Sequence, residues 1–118
     1  MVAKYDVVEA PIAQLRHDLE TGKVTSVELV RAYLDRINTY DRAGIRLNAI
    51  VVDNPDALDE AAASDERRRA DELLGPLDGI PFTAKDSYAA RGLTVAAGSP
   101  AFEHLVAGRD AFTLERPE

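Results

Sequence analysis

Two short apolar segments, one on each side of an alanine-rich and charged stretch, most constrain how this chain of 118 residues folds. The first, LNAIVVDN, has three consecutive β-branched residues at its centre, which is typical of a strand that is covered on both faces. The second, IPFTAKD, follows Gly79 and is also strand-like. Because a strand, a helix and a strand in this order form a right-handed crossover, the sequence predicts a parallel strand pair within an α/β fold.

Three helices are predicted before the second apolar segment. Apolar residues recur at helical spacing from Ile12, which predicts a short first helix. Thr25 and Glu28 form a capping-box pattern, in which each side chain satisfies a backbone N–H of the other residue at the start of a second helix. The third helix is expected to begin with Asn54 as its N-cap and Pro55 at the first helical position, and to end near Leu74.

Composition narrows the classes of function. The chain has 14 basic and 21 acidic residues, and its formal net charge of −7 argues against binding to nucleic acid or to an anionic membrane. The run DERRR is most simply a solvated helix face in which Asp65 supports Arg69, and a nucleic-acid patch is the alternative. The absence of cysteine excludes disulfides and thiolate chemistry, and His17 and His104 have no metal-ligand spacing. Without a signal-peptide pattern or a membrane-length apolar run, a cytoplasmic location is expected.

Lys85 is a charged residue inside the second apolar segment. Side chains alternate along a strand, so Thr83, Lys85 and Ser87 are expected on one face. If that face is interior, burial disfavours the ammonium form, and an uncharged lysine can act as a general base toward a serine hydroxyl. The alternative is a lysine at the end of a strand that reaches water beside Asp86.

The segment GPLDGIPFTAKDSY, from Gly75 to Tyr88, resembles the opening catalytic region of the amidase signature family, as do GLTVAAGSPAF and DAFTLER. GKVTSVELVRAYLDRIN and LNAIVVDNPDALDEA are similar to the N-terminal helices and first strand of that family. The resemblance covers essentially the whole chain. It implies the N-terminal part of the amidase-signature fold, an α/β fold with helices packed on a few strands of a mixed sheet, as a single domain over residues 1–118.

The same resemblance implies hydrolysis of amide C–N bonds by a Ser–cis-Ser–Lys triad. Lys85 matches the lysine that deprotonates the bridging serine, and neither a metal nor an organic cofactor is implied. Family members carry both serines in a Gly/Ser-rich segment well downstream, and the 118 residues contain no such segment. The complete enzyme is expected to act on a small-molecule amide, whereas this portion alone is expected to be inactive, because it has the base without the nucleophile.

Two further interpretations remain open. A Ser-Lys dyad within the chain would use Ser87 or Ser99 as the nucleophile beside Lys85. A non-catalytic module would associate with itself or with a complementing partner chain, because strand-like apolar segments in a short chain need cover from other polypeptide.

Overall fold

A computed structural model describes residues 4 to 115 of the chain. Their helices are α1 (Ile12–Glu20), α2 (Ser26–Arg36), α3 (Ala57–Arg69) and α4 (Phe112–Glu115), with a π-helical turn at Ile37–Asp41 and a 3-10 turn at Pro100–Phe102. The chain divides into two compact units. The first unit comprises the residues up to 50 together with 55–81, and the second comprises 51–54 together with the residues from 82 onward.

The first unit is built around α1 and α2, which form where the sequence predicts them. The capping box of α2 is complete, because the Thr25 hydroxyl accepts the Glu28 N–H and the Glu28 carboxylate accepts the Thr25 N–H, each at 3.1 Å. The core contains the fully buried side chain of Leu29. The other members of this buried cluster are Val7, Leu15, Leu19 and Val24.

Helix α3 packs against α2 in the same unit and is shorter than predicted at both ends. It begins at Ala57, after the Asn-Pro pair, and it ends at Arg69. Beyond this end, Asp71 adopts a left-handed conformation with φ of 58°, and the N–H of Glu72 donates to the carbonyl of Arg67 at 2.8 Å. This is a Schellman closure, which satisfies the last helical carbonyls and turns the chain away from the helix axis.

The two segments predicted as strands, 47–54 and 80–86, contain no strand in the described residues. Between residues 4 and 115, strand-type pairing is limited to one antiparallel bridge that joins Thr94 to Val106. A strand is defined by the ladder that it makes with a neighbour, and a pair of strands is marginally stable by itself. The parallel pair and the mixed sheet therefore stay predictions about the larger fold, while this chain consists mainly of helices and loops.

The second unit consists largely of turns, α4 and the paired segments around the bridge. The Val95 N–H donates to the Leu105 carbonyl at 2.9 Å beside the bridge. Asp110 connects the two ends of this paired region, because its carboxylate accepts the Arg91 N–H at 2.6 Å. Among the helices of residues 4 to 115, none combines the length and the apolar character that a membrane span requires.

Candidate functional site

The glycine-proline motif that precedes Lys85 begins in the first unit, where α2 and α3 hold it. The Ser26 hydroxyl at the start of α2 donates to the Gly79 carbonyl at 2.7 Å. Gly79 has a φ of 97°, and a Cβ atom built on it would lie 3.1 Å from the Ser64 hydroxyl and 3.5 Å from Cδ1 of Leu19. The backbone conformation and this close approach together favour glycine at the position.

Asp78 anchors the same loop to α3. Arg67 donates to both carboxylate oxygens of Asp78, at 2.8 Å each, in the bidentate geometry of strong ion pairs. The Ser64 hydroxyl donates to the carboxylate at 2.7 Å and the Leu74 N–H donates to it at 3.1 Å. The hydrogen bonds from Arg67 hold the pKa of Asp78 well below its usual range. The position of Asp78 within a glycine-rich turn is the one sequence signal for this role.

The prediction that the charged run of α3 is a purely solvated face is wrong at Asp65. Its carboxylate is buried and accepts the backbone N–H groups of Ser26 at 2.7 Å and Val27 at 3.1 Å. Arg69 pairs with Glu66 instead. A carboxylate at a helix N-terminus satisfies N–H groups that have no partner within the helix, which outweighs a surface ion pair. The residues that Asp65 binds lie 38 and 39 positions earlier, so no local sequence pattern indicates them.

Lys85 lies in the second unit, and its side chain is exposed. The Tyr88 N–H donates to the Lys85 carbonyl at 2.9 Å and closes a turn. The prediction that Ser87 continues a strand face from Lys85 is therefore wrong, because the turn ends the alternation of side chains. Ser87 is exposed and Asp86 is half-buried.

Ser99, the other candidate nucleophile, follows a tight turn. Ala97 and Gly98 have φ values of 50° and 77°, and the Ser99 N–H donates at 2.9 Å to the carbonyl that precedes them. Within residues 4 to 115, no hydrogen bond joins the side chain of Lys85 to Ser87 or to Ser99. The structure therefore gives no support to a self-sufficient dyad.

The two histidines belong to different units. His17 belongs to α1, whereas the side chain of His104 is exposed and lies 4.0 Å from the Glu103 carboxylate. Across the described ranges, no group of three His, Cys, Asp or Glu side chains is placed to hold a metal ion.

Comparisons with known proteins point to one family. The family model described as Amidase matches residues 28–116. The chain is also 39% identical over 109 residues to a glutamyl-tRNA(Gln) amidotransferase subunit from Aromatoleum aromaticum. This alignment covers 92% of the chain and 21% of the relative.

Two solved structures share the backbone arrangement. The peptide amidase PAM, solved in complex with the competitive inhibitor chymostatin, matches with a TM-score of 0.91 and 40% identity over 96% of this chain and 23% of the other. The native peptide amidase from Stenotrophomonas maltophilia matches with a TM-score of 0.88 and 41% identity over 92% of this chain and 22% of the other. The chain therefore spans about a fifth of the length of the relatives that it matches.

Proposed function

The chain belongs to the amidase family, and from this premise we propose that it supplies the lysine base of an enzyme that hydrolyses amide C–N bonds. One observation carries the proposal. The family match over residues 28–116 contains the whole motif from Gly75 to Asp86, and with it Lys85. Lys85 is the only basic residue of the motif, and an uncharged lysine amine can take a proton from a serine hydroxyl.

In the proposed mechanism, Lys85 acts as the ultimate base of a Ser–cis-Ser–Lys triad. Its uncharged amine takes a proton from the bridging serine, and that serine takes the proton of the nucleophilic serine. The nucleophile adds to the amide carbonyl, the amine leaves with a proton returned along the same path, and water then hydrolyses the acyl-serine. Both serines and the oxyanion donors belong to the rest of the fold, so the chain alone is proposed to be inactive.

The exposure of Lys85 has a direct consequence for this mechanism. General-base catalysis by a lysine needs the uncharged amine, and burial favours that form. The side chain of Lys85 is exposed in this chain. We therefore infer that the polypeptide that completes the active site also removes Lys85 from water, so that the base and the nucleophile become competent together.

The proposed substrate of the complete enzyme is a small carboxamide. The names of two relatives, a peptide amidase and an amidotransferase subunit, both describe chemistry at an amide group. The second name also describes one component of a larger assembly, which supports the inclusion of a complementing chain among the partners. Neither a metal nor an organic cofactor has a part in the proposed steps.

A chimera tests the role of Lys85. The chain replaces the segment that it matches in the Stenotrophomonas maltophilia peptide amidase, to which it is 41% identical, and the hydrolysis of small amides is measured. Lys85→Ala is expected to lower kcat by about 100-fold to 10,000-fold, the usual contribution of a general base. Lys23→Ala, which removes another exposed lysine in the loop before α2, is the matched control and is expected to leave kcat unchanged. Full activity of the Lys85→Ala chimera would contradict the assignment.

A non-catalytic module is the second candidate function. It is favoured by the exposed apolar side chains of the second unit, which include Phe82 and Phe102. A module of this kind would bind a partner chain without contributing to chemistry there. An active chimera that does not depend on Lys85 would favour this candidate.

A further inference from the structure

The two units differ in whether they possess a hydrophobic core. The buried hydrophobic side chains of the described residues all belong to the first unit, and they include Leu19 and Leu29. In the second unit, no residue of 51–54 or 82–115 is buried. Burial of apolar surface is the dominant favourable term in folding, so the second unit lacks the term that stabilises the first.

The second unit nevertheless has large apolar side chains. Val51 is 67% exposed, Phe82 is 64% exposed and Phe102 is 53% exposed. Five exposed apolar side chains of this unit are defined together as the apolar surface. They are Val51, Phe82, Phe102, Leu105 and Val106. An exposed apolar residue is ordinary when it is single, but several of them in a unit without any buried residue indicate a surface that other polypeptide covers.

The solved peptide amidase indicates what covers it. The backbone of the chain matches that structure with a TM-score of 0.91 over 96% of its length, so the described arrangement is one that occurs in a complete amidase. The match accounts for only 23% of the peptide amidase chain. About three quarters of that protein is therefore available to pack against the arrangement.

We propose that the apolar surface is the docking surface for a polypeptide equivalent to the part of a peptide amidase that lies outside the match. The inference rests on the proposed function only in treating the chain as part of an amidase. The occupant is one folded polypeptide of that family and not a second copy of this chain. Its contact surface is expected to be apolar, because charged groups buried against phenylalanine and valine side chains would lose hydration without compensation.

Binding in trans tests the proposal. A Stenotrophomonas maltophilia peptide amidase that lacks the matched segment is refolded together with the chain, and sedimentation velocity measures the complex. A one-to-one complex is expected. Phe82→Asp and Phe102→Asp are each expected to weaken it by at least about tenfold, because each places a carboxylate in an apolar contact.

Ile12→Asp is the matched control. Ile12 is 56% exposed, similar to Phe102, but it belongs to the first unit. The Ile12→Asp chain is expected to bind like the unchanged chain, and far-UV circular dichroism of all three variants checks that α1, α2 and α3 are retained. Equal affinity of the Phe82→Asp, Phe102→Asp and unchanged chains would overturn the proposal.

Other outcomes separate this inference from the proposed function. The absence of a complex, or a homodimer that Phe82→Asp abolishes, would overturn the docking surface even if the fused chimera depends on Lys85. A complex that forms with the unchanged chain and with Lys85→Ala, and weakens with Phe82→Asp, supports the docking surface. If both of those complexes have the same amidase activity, the role proposed for Lys85 is contradicted while the docking surface stands.

Discussion

The ion pair between Asp78 and Arg67 stabilises the motif loop through a charge that acid removes. Arg67 holds the pKa of Asp78 well below its usual range, and the carboxylate side chain is only 5% exposed. A carboxyl whose pKa is lower in the folded state than in the unfolded state binds fewer protons when folded. Its contribution to stability is therefore present above about pH 4, the ordinary carboxyl pKa, and is lost as the pH falls further.

Asp78→Asn is expected to lower the free energy of unfolding at pH 7 by about 1–3 kcal/mol, because the charge-assisted hydrogen bonds from Arg67 are lost. The difference from the unchanged chain is expected to shrink as the pH falls from 5 toward 2. Urea unfolding followed by far-UV circular dichroism measures both quantities, since the chain contains no tryptophan. Glu72→Gln, at an exposed acidic residue near the same loop, is the control. Parallel pH curves for Asp78→Asn and the unchanged chain would contradict the role of the ion pair.

At the scale of elements, the packing of α3 against α2 depends on one buried carboxylate. Asp65→Asn keeps the size of the side chain but leaves one acceptor oxygen where the N–H groups of Ser26 and Val27 need two. The expected loss in the free energy of unfolding is about 1–3 kcal/mol. Asp59→Asn makes the same chemical change at an exposed position in the first turn of α3 and is expected to cost less than about 1 kcal/mol. Equal losses in urea unfolding would contradict the capping role of Asp65.

The helices and the predicted strands also show which structural features local sequence can predict and which it cannot. The starts of α1 and α2 can be predicted from local sequence. The apolar spacing from Ile12 lies within α1, and the capping box begins at Thr25, the residue directly before α2. The predicted end of α3 near Leu74 is wrong, because Asp71 occupies the left-handed position that glycine usually marks. The role of Asp65 depends on a helix nearly forty positions earlier, and the predicted strands depend on neighbours with which to pair.

The motif around Lys85 shows the same division between local and distant information. Its letters are sufficient to indicate a family, and the geometry of Gly79 explains one of them. The burial of the lysine side chain cannot be predicted from those letters. Whether a side chain is buried depends on everything that packs over it, and about three quarters of the solved relative lies outside the match. The sequence therefore indicates the proposed base, while the activation that we propose for it depends on polypeptide outside the match.

At the scale of the whole molecule, the two units are expected to differ in how often they open. The first unit has a core that includes Leu29, whereas no described residue of the second unit is buried. Regions with few buried apolar contacts open at low free-energy cost, and their amides exchange through those openings. The chain in isolation should therefore exchange its second unit first, although backbone hydrogen bonds are present in both units.

Native-state hydrogen exchange measures this difference at amides that are hydrogen-bonded in both units. The N–H of Leu29 donates to the Thr25 carbonyl at 3.0 Å, and that of Val95 donates to the Leu105 carbonyl at 2.9 Å. With similar hydrogen bonds, the protection factor of Leu29 is expected to exceed that of Val95 by at least about 100-fold, or about 2.7 kcal/mol in opening free energy. Because the proposed covering polypeptide would bury the second unit, its addition should raise the protection of Val95 more than that of Leu29. Equal protection in the isolated chain would show that the second unit is stable without a core, and it would remove the physical reason for a docking partner.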